Sequence, residues 1–252
     1  APAPPSPRKL GNIPWPWLDQ PWAGWLARAG RRPMMAPLAL DALVAGYLLA
    51  SCNGGFWRQL AEATAGQPSA LLAGGVVAWL LLVLLASVAG ISRAQRPALA
   101  LLVLLAAVPA FYIDRYGIVV DRGMVQNVVA TTPREASHLL TADAVAYFLL
   151  RAIPGWGLVF WPLIRRPRPL PACLRWASAN LLIMLLVVGV VVLSPALQGV
   201  ARNDRNLIHV LLPWAPVSAG IRQAHAALEA AGATPAPLGR DAARGAFWAA
   251  AR

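Results

Sequence analysis

Three polar residues that could hold a lipid head group, Asn127, Thr131 and Glu135, follow one another at steps of four. On a helix a step of four leaves about 40° of rotation, so the three side chains share one face spread over roughly 12 Å. Long apolar runs lie on both sides of this segment. A polar row beside a membrane is therefore a candidate site for a polar head group.

The same segment allows two simpler interpretations. Polar residues in a loop between membrane spans usually meet water. The run Thr132-Pro133-Arg134-Glu135 also fits the start of a helix, with Thr132 as N-cap, Pro133 at the first position and Glu135 closing a capping box. From spacing alone the capping interpretation is preferred.

Composition places the chain among membrane proteins. It has 252 residues, of which 58% are hydrophobic and 13% are charged; soluble domains carry about 25% charged residues. Several apolar runs are continuous, not alternating, and long enough to cross a bilayer. The sequence therefore predicts an all-α fold, a polytopic inner-membrane helical bundle with additional periplasmic amphipathic helices.

The apolar runs predict about five transmembrane helices. They occupy residues 34–49, with an extension to 57, then 70–89, 98–113, 144–164 and 176–193. We divide the chain into a Pro/Trp-rich leader (1–33), a transmembrane domain (34–194) with a periplasmic helix near 117–140, and periplasmic surface helices and a linker (195–252). In the last part, 198–212 and 217–231 are predicted as the surface helices.

The distribution of arginine predicts the orientation. Nine arginines flank the runs on the side of the N-terminus, and four lie on the other side, where acidic residues offset them. By the positive-inside rule the N-terminus is cytoplasmic and the C-terminus periplasmic. The net charge of +12 is thus explained by topology and anionic membrane lipids, and we expect no nucleic-acid partner.

Two charged residues, Asp41 and Arg151, fall inside predicted spans. Such residues are costly in hydrocarbon and are functional candidates by default. Because Asp41 lies in the cytoplasmic part of its span, partial hydration or a pair with Arg151 is the preferred account. A transporter is the weakest function suggested by these residues, because five spans show no evident inverted repeat.

The central segment also resembles a known family. It carries Tyr-Gly, an Asp, a Met and then Asn-x3-Thr-x3-Glu, which are here Tyr116, Gly117, Asp121, Met124, Asn127, Thr131 and Glu135. This pattern is similar to the first periplasmic segment of the phosphoethanolamine–lipid A transferases, the group that includes the mobile colistin-resistance enzymes. The resemblance runs from about residue 32 to 244, and includes Asn53 to Trp57 and Ser178-Ala179-Asn180.

The resemblance implies a donor-lipid site. In the family, the residues that match Asn127, Thr131 and Glu135 line the pocket for the donor phosphatidylethanolamine, and Asn53 matches an Asn near it. By this resemblance Glu135 would contact the donor ammonium, and Asn127 and Thr131 would bind phosphate or glycerol oxygens. The expected location is the inner membrane of a Gram-negative bacterium, with lipid A as the acceptor, membrane lipids as further partners and polymyxin resistance as the outcome.

The resemblance also implies what this chain lacks. The family's catalytic half carries a Thr nucleophile and zinc, and the chain stops at Arg252, about where that half would begin. We expect no catalytic residue, no metal site and no bound cofactor in this chain, with zinc implied for the absent domain, and we predict that the isolated chain is inactive. The alternative is a stand-alone membrane scaffold or lipid-binding protein without catalysis.

Neither histidine nor cysteine forms a motif. His138, His209 and His225 are widely spaced, and no Cys/His cluster has metal-ligand spacing. Cys52 and Cys173 are expected on opposite sides of the bilayer, so we predict no disulfide between them.

Overall fold

A computed structural model describes residues 32–90, 92, 94–165, 169–203 and 207–232. Most of the predicted leader (1–31) and the end of the predicted linker (233–252) lie outside the described residues.

The described residues fold into an all-α bundle, as predicted. The long helices are α1 (Pro37–Ser51), α3 (Pro68–Ser87), α4 (Gln95–Tyr116), α7 (Ala142–Phe160), α8 (Pro169–Leu193) and α11 (Trp214–Gly232). The shorter helices are α2 (Gly54–Ala63), α5 (Arg122–Ala130), α6 (Pro133–Leu139), α9 (Pro195–Asn203) and α10 (Leu207–Val210). One end of the bundle, here the strand end, carries two short parallel strands, β1 (Met34–Met35) and β2 (Leu163–Ile164). The other, helix-rich end carries α2, α5, α6, α9 and α10.

Helix length and hydropathy agree with the predicted number of spans. Within the described ranges α3, α4, α7 and residues 171–193 of α8 are each long and apolar enough to cross a membrane, and α1 with α2 gives a fifth span if the bent pair counts as one. The boundaries differ from the sequence estimates by a few residues in most spans. The protein is therefore a polytopic helical membrane protein in its fold.

The first predicted span does not continue straight to residue 57. The chain bends by 74° between α1 and α2, because Phe56 and Leu60 of α2 are buried against the bundle while Arg58 is exposed. The glycines at the start of α2 permit this close approach: a Cβ on Gly54 would lie 2.8 Å from Oδ1 of Asp114. The helix α2 therefore turns across the helix-rich end instead of extending the span.

Part of the segment after α8, predicted to lie on the surface, is buried. The predicted surface helix over 198–212 is wrong in its second half, because Val210, Leu211 and Leu212 are 1%, 2% and 0% exposed. These apolar side chains pack into the bundle, and α11 then begins at Trp214.

Two polar contacts join α3 to α8. The hydroxyl of Ser87 donates to Oδ1 of Asn180 at 2.6 Å, and the indole nitrogen of Trp176 donates to the Ser87 carbonyl at 2.8 Å. Side chains thereby satisfy polar groups at the last turn of α3, where the helix leaves carbonyl groups without an intrahelical partner.

Close packing of α7 against α1 and α4 depends on Gly155. A Cβ at this position would lie 2.8 Å from Cγ1 of Val103 and 3.0 Å from Cε1 of Tyr47. We therefore expect Gly155→Val to lower the free energy of unfolding by about 1–3 kcal/mol, the usual cost of overpacking. The matched control is Gly157→Val on the same helix, where nothing lies within 4 Å of the added Cβ. Unfolding in mixed micelles with increasing sodium dodecyl sulfate measures both variants, and equal losses would contradict the packing argument.

Candidate functional site

The segment that holds Asn127, Thr131 and Glu135 consists of two short helices, α5 and α6. The helix α5 starts at its N-cap Asp121, whose carboxylate accepts a hydrogen bond from the Met124 backbone N–H at 2.8 Å. It ends at Ala130, and α6 begins only at Pro133. The three candidates therefore lie in one segment but on two separate elements.

The expectation that the three side chains share one face of a single helix is wrong. Asn127 is on α5, Thr131 is the extended residue that ends it, with φ −67° and ψ 128°, and Glu135 is on α6. The physical reason is Pro133, because a proline disfavours the helical conformation in the residue before it. Thr132 is accordingly extended and interrupts the helix.

The capping interpretation is confirmed. The Thr132 backbone N–H donates to Oε2 of Glu135 at 3.0 Å, and the Glu135 N–H donates to the Thr132 hydroxyl oxygen at 3.4 Å. Both atom pairs of a capping box are thus present. The Thr132 hydroxyl also donates to Oε2, so the other carboxylate oxygen, Oε1, does not take part in the cap.

The hydrogen bonds of the cap favour the charged form of the Glu135 carboxyl group. They come first from the backbone N–H and second from the hydroxyl of Thr132, and they lower the pKa of the Glu135 carboxyl below its ordinary value. Hydrogen bonds to the charged form of an acid favour that form. Glu135 therefore presents a charged and exposed carboxylate.

Thr131 and Asn127 differ in what they offer. The Thr131 hydroxyl donates its hydrogen to the Asn127 carbonyl at 2.7 Å, so toward any further group it can only accept. The Asn127 side chain is exposed and keeps both donor and acceptor atoms. The segment as a whole can therefore offer hydrogen-bond acceptors at Thr131 and Glu135, and both donors and acceptors at Asn127.

Contacts with α4 and α11 position the two helices. Nε of Arg122 donates to Oε1 of Gln223 on α11 at 3.1 Å. At the other end, the Tyr112 hydroxyl of α4 donates to the Leu139 carbonyl at 2.9 Å. Val129 and Leu140 of this segment are 77% and 64% exposed, so its surface presents apolar as well as polar side chains.

Asn53 lies at the bend between α1 and α2 and is 1% exposed. Its amide nitrogen donates to the carbonyls of Leu48 and Leu212, both at 2.9 Å, and its oxygen accepts from the Leu212 N–H at 2.7 Å. The structure thus shows a structural role for Asn53, holding the bend to the start of α11. Donor binding by Asn53 stays a prediction, and both of its amide hydrogens already have partners.

The intramembrane residues Asp41 and Arg151 do not pair, so that one of the two accounts predicted for Asp41 is wrong. Asp41 is 1% exposed and its Oδ1 accepts from Nε2 of Gln95 at 2.9 Å, at the strand end. Nε of Arg151 instead donates to the Ser51 carbonyl at 2.7 Å, and its guanidinium lies 3.4 Å from the centre of the Tyr147 ring. Asp41 lies near the start of α1, whereas Arg151 binds the last residue of that helix, Ser51.

A polar cluster that sequence reasoning missed surrounds Asp114. Its carboxylate accepts a hydrogen bond from Tyr147 and pairs with Arg58 at 3.1 Å. With Arg151 on the Tyr147 ring, the cluster joins α2, α4 and α7. Charged residues at the ends of apolar runs were the available signal, but the pattern does not say which ones meet.

Comparison with known proteins decides the family. Residues 77–228, more than half of the chain, match the family described as phosphoethanolamine transferase EptA/EptB. The chain belongs to this family. The match, together with the transmembrane bundle, identifies the described part as an N-terminal membrane domain of a phosphoethanolamine transferase.

Individual relatives agree with this assignment. The chain is 26% identical over 194 residues to phosphoethanolamine transferase EptA of Salmonella typhimurium, covering 75% of this chain and 36% of that relative. It is 25% identical over the same length to the enzyme of Escherichia coli strain K12. The chain thus spans about a third of the length of the curated relatives it matches.

A solved structure shows the same fold. The integral membrane lipooligosaccharide phosphoethanolamine transferase A from Neisseria meningitidis superposes with a TM-score of 0.69 at 18% identity. The match covers 82% of this chain and 41% of that protein. It supports the membrane-bundle architecture of the phosphoethanolamine transferases.

A metal centre is not formed by the part of the membrane domain that the structure describes. No group of three or more His, Cys, Asp or Glu side chains there is arranged to hold a metal ion. Cys52 is buried, Cys173 is exposed, and both are free. No chemical step through a metal is assigned to the described residues, and the zinc that the resemblance implies for a separate catalytic domain stays a prediction.

Proposed function

We propose that the protein transfers phosphoethanolamine from phosphatidylethanolamine to lipid A, and that the described bundle anchors it and forms part of the donor pocket. Family membership and the membrane fold support the transferase class. The observation that carries the donor assignment is the charged, exposed carboxylate of Glu135 at the helix-rich end. A carboxylate in this position suits the ammonium group of phosphatidylethanolamine.

The polar groups of the segment divide between the two charges of the head group. Glu135 pairs with the ammonium through Oε1, the oxygen outside the cap. The Thr131 hydroxyl already donates its hydrogen to the Asn127 carbonyl, so its oxygen can only accept a hydrogen bond from the same ammonium. Among the three, only the Asn127 amide can donate to the phosphate.

The transfer chemistry is assigned to the rest of the transferase. The family resemblance implies a Thr nucleophile and zinc in a separate catalytic domain, and this chain matches 36% of the length of a relative that carries the activity. Zinc, when bound there, would activate the nucleophile and offset negative charge. The described residues would bind and orient the donor, and the isolated chain is predicted to be inactive.

We further propose where the transferase lies and what the modification of lipid A does. The transferase lies in the inner membrane of a Gram-negative bacterium, with the N-terminus cytoplasmic and the helix-rich end periplasmic, where donor and acceptor lipids are both reached. The arginine distribution along the sequence supports this orientation. The resulting modification of lipid A would reduce its negative charge and thereby confer polymyxin resistance.

Three variants in the full-length transferase test whether Glu135 binds the donor. Glu135→Gln keeps an acceptor for the capping box but removes the charge, so we expect transfer to fall roughly tenfold or more, as for the loss of a hydrogen bond to a charged group. Glu135→Ala removes both the cap and the charge, so transfer should fall at least as far. Mass spectrometry of lipid A extracted from cells measures the modified fraction.

The third variant, Thr132→Ala, is the matched control for the cap. It removes the capping hydroxyl but leaves the Glu135 carboxylate, so we expect most of the transfer to remain. If Glu135→Gln instead keeps wild-type transfer while Glu135→Ala and Thr132→Ala fall together, Glu135 acts as a cap only and donor binding is refuted. Immunoblots of the membrane fraction must show equal amounts of all three proteins.

A further inference from the structure

A second apolar site lies away from the candidate donor residues. The helices α2, α3, α8, α9 and α10 enclose a groove of about 470 Å³. This volume falls within the range of pockets that hold small-molecule ligands. Its walls are apolar except for one polar side chain, His209.

The groove continues the bilayer-facing surface of α3 and α8. On α8, Leu182 and Leu185 are 58% and 60% exposed, as expected for a span that faces lipid. Val191, further along the same helix, lines the groove. On α3 the lining runs from Gly74 to Leu81, which lie roughly 9 and 20 Å from the start of the helix at 1.5 Å per residue. An acyl chain that stands along the bilayer normal occupies the same depth.

A polar group breaks the apolar lining at the helix-rich end. The Nδ1 atom of His209 is buried and has no hydrogen-bond partner among the described residues. A buried polar atom without a partner is costly. An imidazole N–H can donate to a carbonyl oxygen, and phospholipids carry ester carbonyls where the acyl chains meet the head group.

Apolar contact alone would not select a lipid. Within a bilayer the surrounding chains are as apolar as the groove, so transfer into it gives little hydrophobic gain. Preference for a bound chain must come from the fixed shape of the walls and from the polar contact at His209. The apolar lining also disfavours a polar, water-soluble ligand.

We propose that this groove binds one acyl chain of a membrane phospholipid, with His209 donating a hydrogen bond to the ester carbonyl. The site does not depend on donor binding at Glu135. The segment that carries Glu135 packs on α4 and α11, whereas α2, α3, α8, α9 and α10 form the groove. The proposal is therefore a structural lipid site in addition to the donor pocket.

Photo-crosslinking in vesicles tests the site. The full-length protein is reconstituted in phosphatidylethanolamine and phosphatidylglycerol with a trace of phosphatidylcholine that carries a diazirine in its acyl chain. After irradiation, peptide mass spectrometry maps the adducts. We expect a higher adduct yield at Val77, Leu81 and Val191 in the groove than at the bilayer-facing Leu182 and Leu185.

Variants separate a bound chain from bulk lipid. Ala201 lines the groove and is exposed, so Ala201→Trp should fill the groove without disturbing the core and reduce the groove adducts to the level at Leu182. Leu185→Trp is the control on the lipid-facing surface and should leave the groove adducts unchanged. Equal yields at groove and surface residues in the wild type, or no effect of Ala201→Trp, would mean bulk lipid only and overturn the proposal.

A second variant tests the polar contact. His209→Phe keeps an aromatic ring and removes both nitrogens, and we expect it to lower the groove adducts about threefold, the effect of an average polar contact inside a membrane. The yield at Leu182 should not change. Unchanged groove adducts in this variant would refute the hydrogen bond to the ester.

Discussion

Replacing Asn53 by leucine is expected to lower the free energy of unfolding by about 4 kcal/mol, because two buried backbone groups each lose a partner worth about 1–3 kcal/mol. The Leu212 N–H and carbonyl both bind the Asn53 side chain, and Leu212 is 0% exposed. The Leu48 carbonyl loses less, since it also accepts from the Cys52 N–H. Leucine has the same number and branching of side-chain heavy atoms as asparagine, but it cannot satisfy either group at Leu212.

The matched control is Asn127→Leu, the same change at an exposed position. It should alter the free energy of unfolding by less than about 0.5 kcal/mol, as surface substitutions usually do. Circular dichroism during titration with sodium dodecyl sulfate in mixed micelles measures both. If the two variants lose equal stability, the bonds to Leu212 do not hold the bend in place.

Local features of this fold could be predicted from the sequence because they depend on neighbours in the chain. The cap formed by Thr132 and Glu135 joins residues three positions apart, and the Thr141 hydroxyl caps α7 by accepting from the Ala144 N–H. The span predicted over 70–89 is the helix Pro68–Ser87. The length of an apolar run and the chemistry of an N-cap are both determined by residues that are close in sequence. They therefore do not depend on how the helices pack.

Polar pairing between spans could not be predicted, because it depends on depth along the bundle. Asp41 and Arg151 carry opposite charges, yet Arg151 binds the Ser51 carbonyl, ten residues from Asp41 and about 15 Å further along α1. The partner of Asp41 is the uncharged Gln95, 54 positions away in sequence. Hydropathy locates a span but does not fix which faces meet.

The candidate donor site falls between these cases. The residue types were identified through the family resemblance, and the structure places them in one surface segment, while their role in donor binding stays a prediction. The single-helix arrangement failed, since Pro133 and Thr132 impose a break that the four-residue spacing ignores. Because of the break, Glu135 has a capping role in addition to its charge. The test of its function therefore needs both Glu135→Gln and Glu135→Ala.

Replacing Gln95 by leucine is expected to lower the free energy of unfolding by about 3 kcal/mol, because it leaves a buried carboxyl group without a donor. Gln95 is 0% exposed, and its Nε2 donates to Asp41 Oδ1 and to the Pro37 carbonyl, both at 2.9 Å. The same titration measures the loss. Gln126→Leu at an exposed position of α5 is the control and should change stability little.

A double-mutant cycle with Asp41→Leu isolates the pair. Removing both polar partners leaves no unpaired carboxyl group, so the double variant should be more stable than Gln95→Leu alone, with a coupling energy of about 1–3 kcal/mol. Strict additivity would mean that Gln95 stabilises the strand end only through Pro37 and that Asp41 gains nothing from it. A favourable coupling would instead show that the uncharged amide of Gln95, rather than an ion pair, stabilises the buried Asp41 carboxyl group inside the first span.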